Sequence, residues 1–136
     1  MDRWLIFVAL ATALSLGACA RPELASADQL ARGEVLYTMH CIQCHGNGQG
    51  NGLNPPLLGS AKLRGQPSAI IRTILYGQHT ESVVDGQKLG GIMPALDYLT
   101  DEEVADVATY VRTQFGNNSR PIHAAEVAAH RPGRSP

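Results

Sequence analysis

Residues 41–45 read Cys-Ile-Gln-Cys-His, and this stretch decides how the rest of the chain is interpreted. Two thiols three positions apart, followed directly by a histidine, form the attachment pattern of a c-type haem. Cys41 and Cys44 can each add to a vinyl group of one porphyrin, and His45 is then placed on the iron as an axial ligand. The motif therefore predicts one haem c, held covalently through Cys41 and Cys44.

A Cys-x-x-Cys pair has two other common uses, which are weighed against haem. A structural zinc site needs four ligands and usually draws on a second Cys or His pair, which this chain of 136 residues does not contain. A thioredoxin-like dithiol opens a helix after a strand, and nothing strand-like precedes Cys41. Both remain alternatives, and haem attachment is favoured over them.

The first residues of the chain have the pattern of an export leader. The apolar run Trp4–Leu16 is short for a membrane span but suits a signal peptide. Leu16-Gly17-Ala18-Cys19 resembles a bacterial lipobox, in which Cys19 is acylated, whereas Ala18-Cys19-Ala20 fits ordinary signal peptidase and a start at Arg21. We therefore predict a signal peptide over residues 1–19, cleaved before Cys19, or alternatively after Ala20.

The export leader and the net charge together limit where the protein is expected to lie and what it is expected to bind. Either cleavage places it at the periplasmic or outer face of a bacterial membrane, with possible attachment through lipid at Cys19. This agrees with haem attachment, which takes place in bacteria after export. The formal net charge is −1, and Lys62 and Lys88 are the only lysines, so the sequence has no basic ring that would suit nucleic acid.

Helical periodicity and capping patterns predict an all-α fold. Ser26-Ala27-Asp28-Gln29 and Thr100-Asp101-Glu102-Glu103 both fit capping boxes. The predicted helices are 24–39, 67–76 and 100–115, the predicted Gly-rich loops are 46–59 and 78–92, and 117–136 is a polar tail, either surface-wrapping or disordered, with one short helix near 124–130. A domain this small buries little apolar surface, so the porphyrin is expected to complete its core.

The face of the iron opposite His45 needs a second ligand if the haem is a low-spin carrier. Met93 is the candidate, because it lies between the flexible Gly90-Gly91 and the rigid Pro94. His79 is the competing ligand, and Met93 could instead be core filler. An iron-bound histidine also donates its other ring N–H to a fixed acceptor, and the Pro55 carbonyl is the first choice. Alternatively, the prolines only stiffen a surface loop.

From Asp28 to Gly116 the chain resembles a class I cytochrome c. The matching elements are Gly33-x-x-x-Tyr37, Cys41-x-x-Cys44-His45, Pro55-Pro56-Leu57, Met93-Pro94 and Tyr110. The ending is similar to that of the cytochrome subunits of membrane-bound alcohol dehydrogenases. The resemblance implies a cytochrome c domain over 24–116, with three or more helices and Gly-rich loops wrapped around one covalent haem.

The resemblance also implies particular contacts. The first and last helices would cross near Gly33, and Tyr37 would meet Val107 and Tyr110. The Pro55 carbonyl would accept from His45, and Leu57 would pack on the haem. The haem-propionate residues of the family do not map clearly onto this sequence, and Arg64 is the candidate that we name.

These features predict one-electron transfer by a His45/Met93-ligated haem, with no catalysis at the iron. The electron donor would be a dehydrogenase or a quinol-oxidising complex, and the acceptor a terminal oxidase or reductase. A fixed electron-transfer subunit of a larger oxidoreductase is the alternative. A haem enzyme or gas sensor would need an open iron position, against which Met93 argues.

Overall fold

The computed structural model describes residues 23–51, 54–84, 87–118 and 120–132. Within these ranges the chain forms helices α1 (Ala27–His40), α2 (Ile42–His45), α3 (Ala61–Arg64) and α4 (Pro67–Tyr76), strands β1 (Gln78–Val84) and β2 (Gln87–Met93), and helices α5 (Asp101–Gly116) and α6 (Ala124–Ala128). None of the described helices has the length and hydropathy needed to cross a membrane. The predicted leader and Cys19 lie outside the described residues.

The two long helices begin at the caps that the sequence predicts. At α5 the capping box is complete: the Thr100 hydroxyl accepts from the Glu103 N–H at 3.2 Å, and the Glu103 carboxylate accepts from the Thr100 N–H at 2.8 Å. At α1 only half of the box forms. The Ser26 hydroxyl accepts from the Gln29 N–H at 3.1 Å, while the Gln29 side chain donates to the Ile122 carbonyl at 2.9 Å. A tertiary contact has replaced the local one.

Helices α1 and α5 cross at Gly33, as the resemblance implied. A Cβ atom at Gly33 would lie 2.3 Å from the backbone oxygen of Asp106 and 2.6 Å from the Cβ of Tyr110. Beside the crossing, Arg32 donates to the Asp106 carboxylate at 2.6 and 3.1 Å. Tyr37 packs one turn further on, with its ring centroid 5.6 Å from that of Tyr110. Glycine is therefore required here for backbone contact between helices.

Helix α4 supplies much of the core. Its apolar stripe is buried as predicted and consists of Ile70, Ile71, Ile74 and Leu75. Pro67 occupies the first turn, and Gly77 follows the last residue with a φ of 71°. A Cβ at Gly77 would lie 2.4 Å from the Met93 carbonyl oxygen, so the glycine also lets the end of β2 approach the end of α4.

The prediction of a loop over residues 78–92 is wrong, because this region forms a β-hairpin. Strands β1 and β2 pair in antiparallel register from Gln78↔Met93 to Val84↔Gln87. The residues between the paired Val84 and Gln87 are Asp85-Gly86, a sequence that favours two-residue hairpin turns. The prediction gave weight to the glycines and overlooked this turn signal next to two β-branched valines.

The C-terminal tail was predicted to be surface-wrapping or disordered, and its described residues 120–132 pack onto the helices. Ile122 and Val127 are fully buried, and the Ile122 N–H donates to the Thr109 hydroxyl of α5 at 2.8 Å. Helix α6 confirms the short helix predicted near 124–130. Two well-placed apolar side chains are enough to dock this segment, and the polar average of the tail concealed them.

Candidate functional site

A cleft of about 340 Å³ opens among α1, α2, α4 and β2. It brings together all six predicted cofactor-binding residues, namely Cys41, Cys44, His45, Pro55, Leu57 and Met93. They come from separate parts of the chain, and the sequence alone could place only the first three next to one another. The structure therefore supplies the common location, while the role of each residue stays a prediction.

The Cys-x-x-Cys-His motif lies where α1 passes into α2. The Cys41 N–H donates to the Tyr37 carbonyl at 2.8 Å and so ends α1, and α2 turns the chain through one short helix to His45. Burial raises the pKa of the Cys41 thiol to about 11, with a smaller contribution from Cys44. Cys44 is exposed, and neither cysteine forms a disulfide. Both cysteines line the same cleft.

The His45 imidazole is partly buried, and its surroundings favour the neutral form, which is the form that binds a metal. Burial lowers the pKa of His45, and the nearby Pro55 carbonyl raises it to a smaller extent. The contact with Pro55 falls short of hydrogen-bond geometry, and the buried His45 Nδ1 has no hydrogen-bond partner among the described residues. An unpaired ring nitrogen beside a proline carbonyl matches the predicted pairing of Pro55 and His45 without completing it.

Met93 comes from a different part of the fold and lines the same cleft. It is the last residue of β2, half-buried, and packs against the core. The competing ligand, His79, lies on β1, is exposed, and is not among the residues lining the cleft. Met39 is 68% exposed on α1 and is likewise absent from the lining. Among the described residues, Met93 is thus the better placed soft ligand.

The walls between these groups are largely apolar. Leu57 is partly buried against the core, and the remaining apolar lining includes Leu63, Ile70, Ile74, Leu96, Val107 and Val111. Side chains of this kind exclude water and accept a large, flat apolar group. The same apolar side chains thus belong to the core of the protein and to the wall of the cleft.

One corner of the cleft is polar, and the sequence analysis did not predict its residues. The Lys62 ammonium donates to the Thr73 hydroxyl at 3.1 Å and also to the Gln78 side-chain oxygen, and all three residues line the cleft. Arg64, which we had named as a propionate-binding candidate, is exposed and lies outside the lining. Of the two basic residues of helix α3, Lys62 lines the cleft and Arg64 does not.

The donor set fits a covalently bound haem. Two cysteines, a histidine and a methionine line an apolar cleft, which is what a porphyrin with two thioether links and two axial ligands requires. The Lys62 corner offers a cation to the carboxylates of such a group. The chemistry of these side chains thus supports the haem hypothesis over the zinc and dithiol alternatives.

Known proteins agree with this assignment. Residues 28–111 match the family model described as cytochrome C oxidase, cbb3-type, subunit III. Cytochrome c-552 of Thermus thermophilus is 35% identical over 115 residues, which cover 76% of this chain and 74% of that protein. The fructose dehydrogenase cytochrome subunit of Gluconobacter japonicus is 35% identical over 112 residues, covering 74% of this chain.

A third relative bears on the predicted likeness to alcohol dehydrogenase subunits. The cytochrome c subunit of the quinone-dependent alcohol dehydrogenase of Gluconobacter oxydans is 30% identical over 94 residues. The matched regions span only 22% of the fructose dehydrogenase subunit and 19% of the alcohol dehydrogenase subunit. The predicted resemblance and the predominantly helical fold are both confirmed. This chain belongs to the cytochrome c family, whose members bind haem c covalently and transfer electrons.

Proposed function

We propose that the protein passes single electrons through one haem c, attached at Cys41 and Cys44 and ligated by His45 and Met93. The observation that carries the proposal is that His45 and Met93 line one apolar cleft, although they are 48 positions apart in the sequence. When bound, the haem supplies a reversible Fe(III)/Fe(II) couple. With both axial positions filled by protein, the iron would have no open site for a substrate.

The residues of the cleft have distinct tasks in this proposal. Cys41 and Cys44 hold the group in place, and burial lowers the pKa of His45, which favours the neutral form of the ring. The Met93 thioether is a soft ligand that favours ferrous iron, so it raises the reduction potential relative to a second histidine. Lys62 lies where it can pair with a carboxylate of the haem, and a nearby cation also favours the reduced state.

Covalent attachment has a direct test. We expect the haem to remain with the polypeptide after extraction with acidified acetone, and the Cys41→Ala, Cys44→Ala double variant to lose it. Ser68→Ala is a suitable control, because Ser68 does not line the cleft. Extraction of the haem from the unaltered protein would overturn the proposed attachment.

The proposed partners are a dehydrogenase or quinol-oxidising complex as donor and a terminal oxidase or reductase as acceptor. Ile92 lines the cleft and is 68% exposed, so an apolar side chain is available beside the haem for brief protein contacts. A fixed subunit of a larger oxidoreductase is the second candidate, favoured by relatives named as dehydrogenase cytochrome subunits. Affinity isolation from membranes separates the two: a stoichiometric second polypeptide indicates a subunit, and a freely dissociating protein indicates a carrier.

We also propose export, with a signal peptide that is cleaved before Cys19 and with Cys19 as the lipidated residue at the periplasmic or outer face of the membrane. The support is the sequence pattern and the requirement that haem c be attached outside the cytoplasm. Mass analysis of the mature N-terminus tests this. A diacylglyceryl-modified Cys19 indicates an anchor, whereas an unmodified start at Arg21 indicates ordinary cleavage after Ala20.

A further inference from the structure

Residues 120–132 form a segment, here called the C-terminal strap, that packs across the end of the molecule. Ile122 and Val127 anchor it through their buried side chains. The Gln29 side chain on α1 and the Thr109 hydroxyl on α5 bond to the backbone of Ile122. The strap is thus attached to both long helices before it reaches Arg131.

The Arg131 side chain extends from the strap and binds two carbonyls of the neighbouring segment 94–100 and the side chain of Asp101, the first residue of α5. Its Nε donates to the Asp101 carboxylate at 2.5 Å, its Nη1 to the Asp97 carbonyl at 2.8 Å, and its Nη2 to the Leu99 carbonyl. Only 21% of the Arg131 side chain and 16% of the Asp101 side chain are exposed. A planar guanidinium can satisfy three such acceptors at once, which a lysine ammonium on a flexible stem does less well.

The segment that Arg131 binds begins directly after Met93. Residues 94–100 lead from β2 to α5, and Leu96 in the middle lines the cleft. The Leu96 N–H donates to the Ile74 carbonyl at the end of α4 at 2.9 Å, and the Leu99 N–H donates to the Leu96 carbonyl at 3.2 Å. Helix α4 therefore holds the segment near Met93, and Arg131 holds its other end.

We propose that Arg131 is a positioning residue for Met93, and that the C-terminal strap acts through it to keep the thioether at the iron. The inference rests on the proposed ligation by Met93. Ligation by a thioether is weak compared with a covalent attachment, so it depends on how firmly the chain behind the sulfur is held. Without Arg131, residues 97–99 lose their fixed donors, and states with Met93 displaced gain population.

The affinity for exogenous imidazole measures the fraction of molecules in which Met93 is displaced. Imidazole binds ferric iron only where Met93 has left, so its apparent Kd equals the intrinsic Kd divided by the fraction of displaced molecules. Loss of one hydrogen bond to a charged group is enough to change a population by about tenfold or more. We expect ferric Arg131→Gln to bind imidazole at least about tenfold more tightly than the unaltered protein.

Arg120→Gln is the matched control. Arg120 lies on the same strap, and its guanidinium donates to Glu126 at 3.1 Å and to the Pro121 carbonyl at 3.3 Å, both within the strap. Its loss should leave the imidazole affinity unchanged even if the free energy of unfolding falls. Arg131→Lys keeps the charge without the planar fork, and we expect an affinity between those of the unaltered protein and Arg131→Gln.

The outcomes are distinct. Equal imidazole affinity for Arg131→Gln, Arg120→Gln and the unaltered protein would overturn the proposal, because a purely structural contact would change stability alone. If Arg131→Gln fails to fold, Arg131→Lys decides the question, and an unchanged affinity again overturns it. Failure of the proposed function would look different, since the unaltered ferric protein would then lack the sulfur-to-iron charge-transfer band before any substitution was made.

Discussion

The Tyr37 hydroxyl donates a 2.8 Å hydrogen bond to the carbonyl of Gly46, the residue directly after His45. Only 3% of Tyr37 is exposed, and its ring packs against those of Tyr110 and Phe115, with centroids 5.6 and 5.3 Å away. The Tyr37 side chain thus connects the crossing of α1 and α5 to the backbone next to His45, the proposed iron ligand.

Tyr37→Phe should remove this bond and lower the free energy of unfolding at neutral pH by about 0.5–1.5 kcal/mol. Burial raises the pKa of Tyr37 to about 12, with smaller effects of Cys41 and Tyr110, from an ordinary value near 10. Between about pH 10 and 12 the folded protein keeps a proton that the unfolded chain loses, so this stabilisation decreases as the pH rises.

The measurement is urea unfolding of both proteins by far-UV circular dichroism between about pH 7 and 12. We expect the difference in free energy of unfolding between Tyr37 and Tyr37→Phe to be constant up to about pH 10 and to shrink above it. Thr38→Ala, on the exposed face of α1, controls for effects of alkali on the helix itself. A difference that stays constant to pH 12 would contradict the burial of the Tyr37 hydroxyl.

Gly33→Ala should destabilise the protein in spite of the better helix propensity of alanine. Propensity favours alanine by about 1 kcal/mol, but the new Cβ would lie 2.3 Å from the Asp106 oxygen, and helix backbone cannot yield easily. We expect a net loss of about 1–3 kcal/mol in the free energy of unfolding. Glu34→Ala, exposed on the same helix, should change it by less than about 0.5 kcal/mol. Equal effects of both substitutions would refute a tight helix crossing.

This crossing illustrates which features of the fold can be predicted from sequence. Helix starts depend on residues within one turn, so the capping patterns at Ser26 and Thr100 located α1 and α5 before the structure was known. A glycine inside a helical pattern indicates close packing against another helix, and resemblance to a family then identified that helix as the last one. The hairpin was missed because its signal, Asp85-Gly86, occupies only two residues in a stretch otherwise rich in glycine.

The site shows a second kind of limit. The Cys-x-x-Cys-His motif is local, so the haem hypothesis could be formed from five residues, whereas ligation by Met93 and not by His79 stays a prediction. The direction of a side chain from a one-turn helix cannot be inferred from spacing, and so Arg64 was named where Lys62 lines the cleft. The contacts of Arg131 span about 30 residues and leave no pattern in the sequence.

Lys62→Gln should lower the reduction potential of the haem, because a cation in the cleft favours ferrous over ferric iron. We expect a decrease on the order of tens of millivolts. Arg64→Gln is the matched control, since it removes the same charge from an exposed position outside the lining. Spectroelectrochemical titration of the three proteins decides the matter, and equal potentials for the two variants would exclude a carboxylate-binding role for Lys62.

The central claim is that Met93 completes the coordination of a haem held by Cys41, Cys44 and His45. The most direct measurement is the near-infrared sulfur-to-iron charge-transfer band of the ferric protein, recorded for the unaltered chain, Met93→Ala and Met39→Ala. We predict that the band is present in the unaltered protein and in Met39→Ala, whose side chain is 68% exposed, and absent from Met93→Ala. Persistence of the band in Met93→Ala would contradict the account.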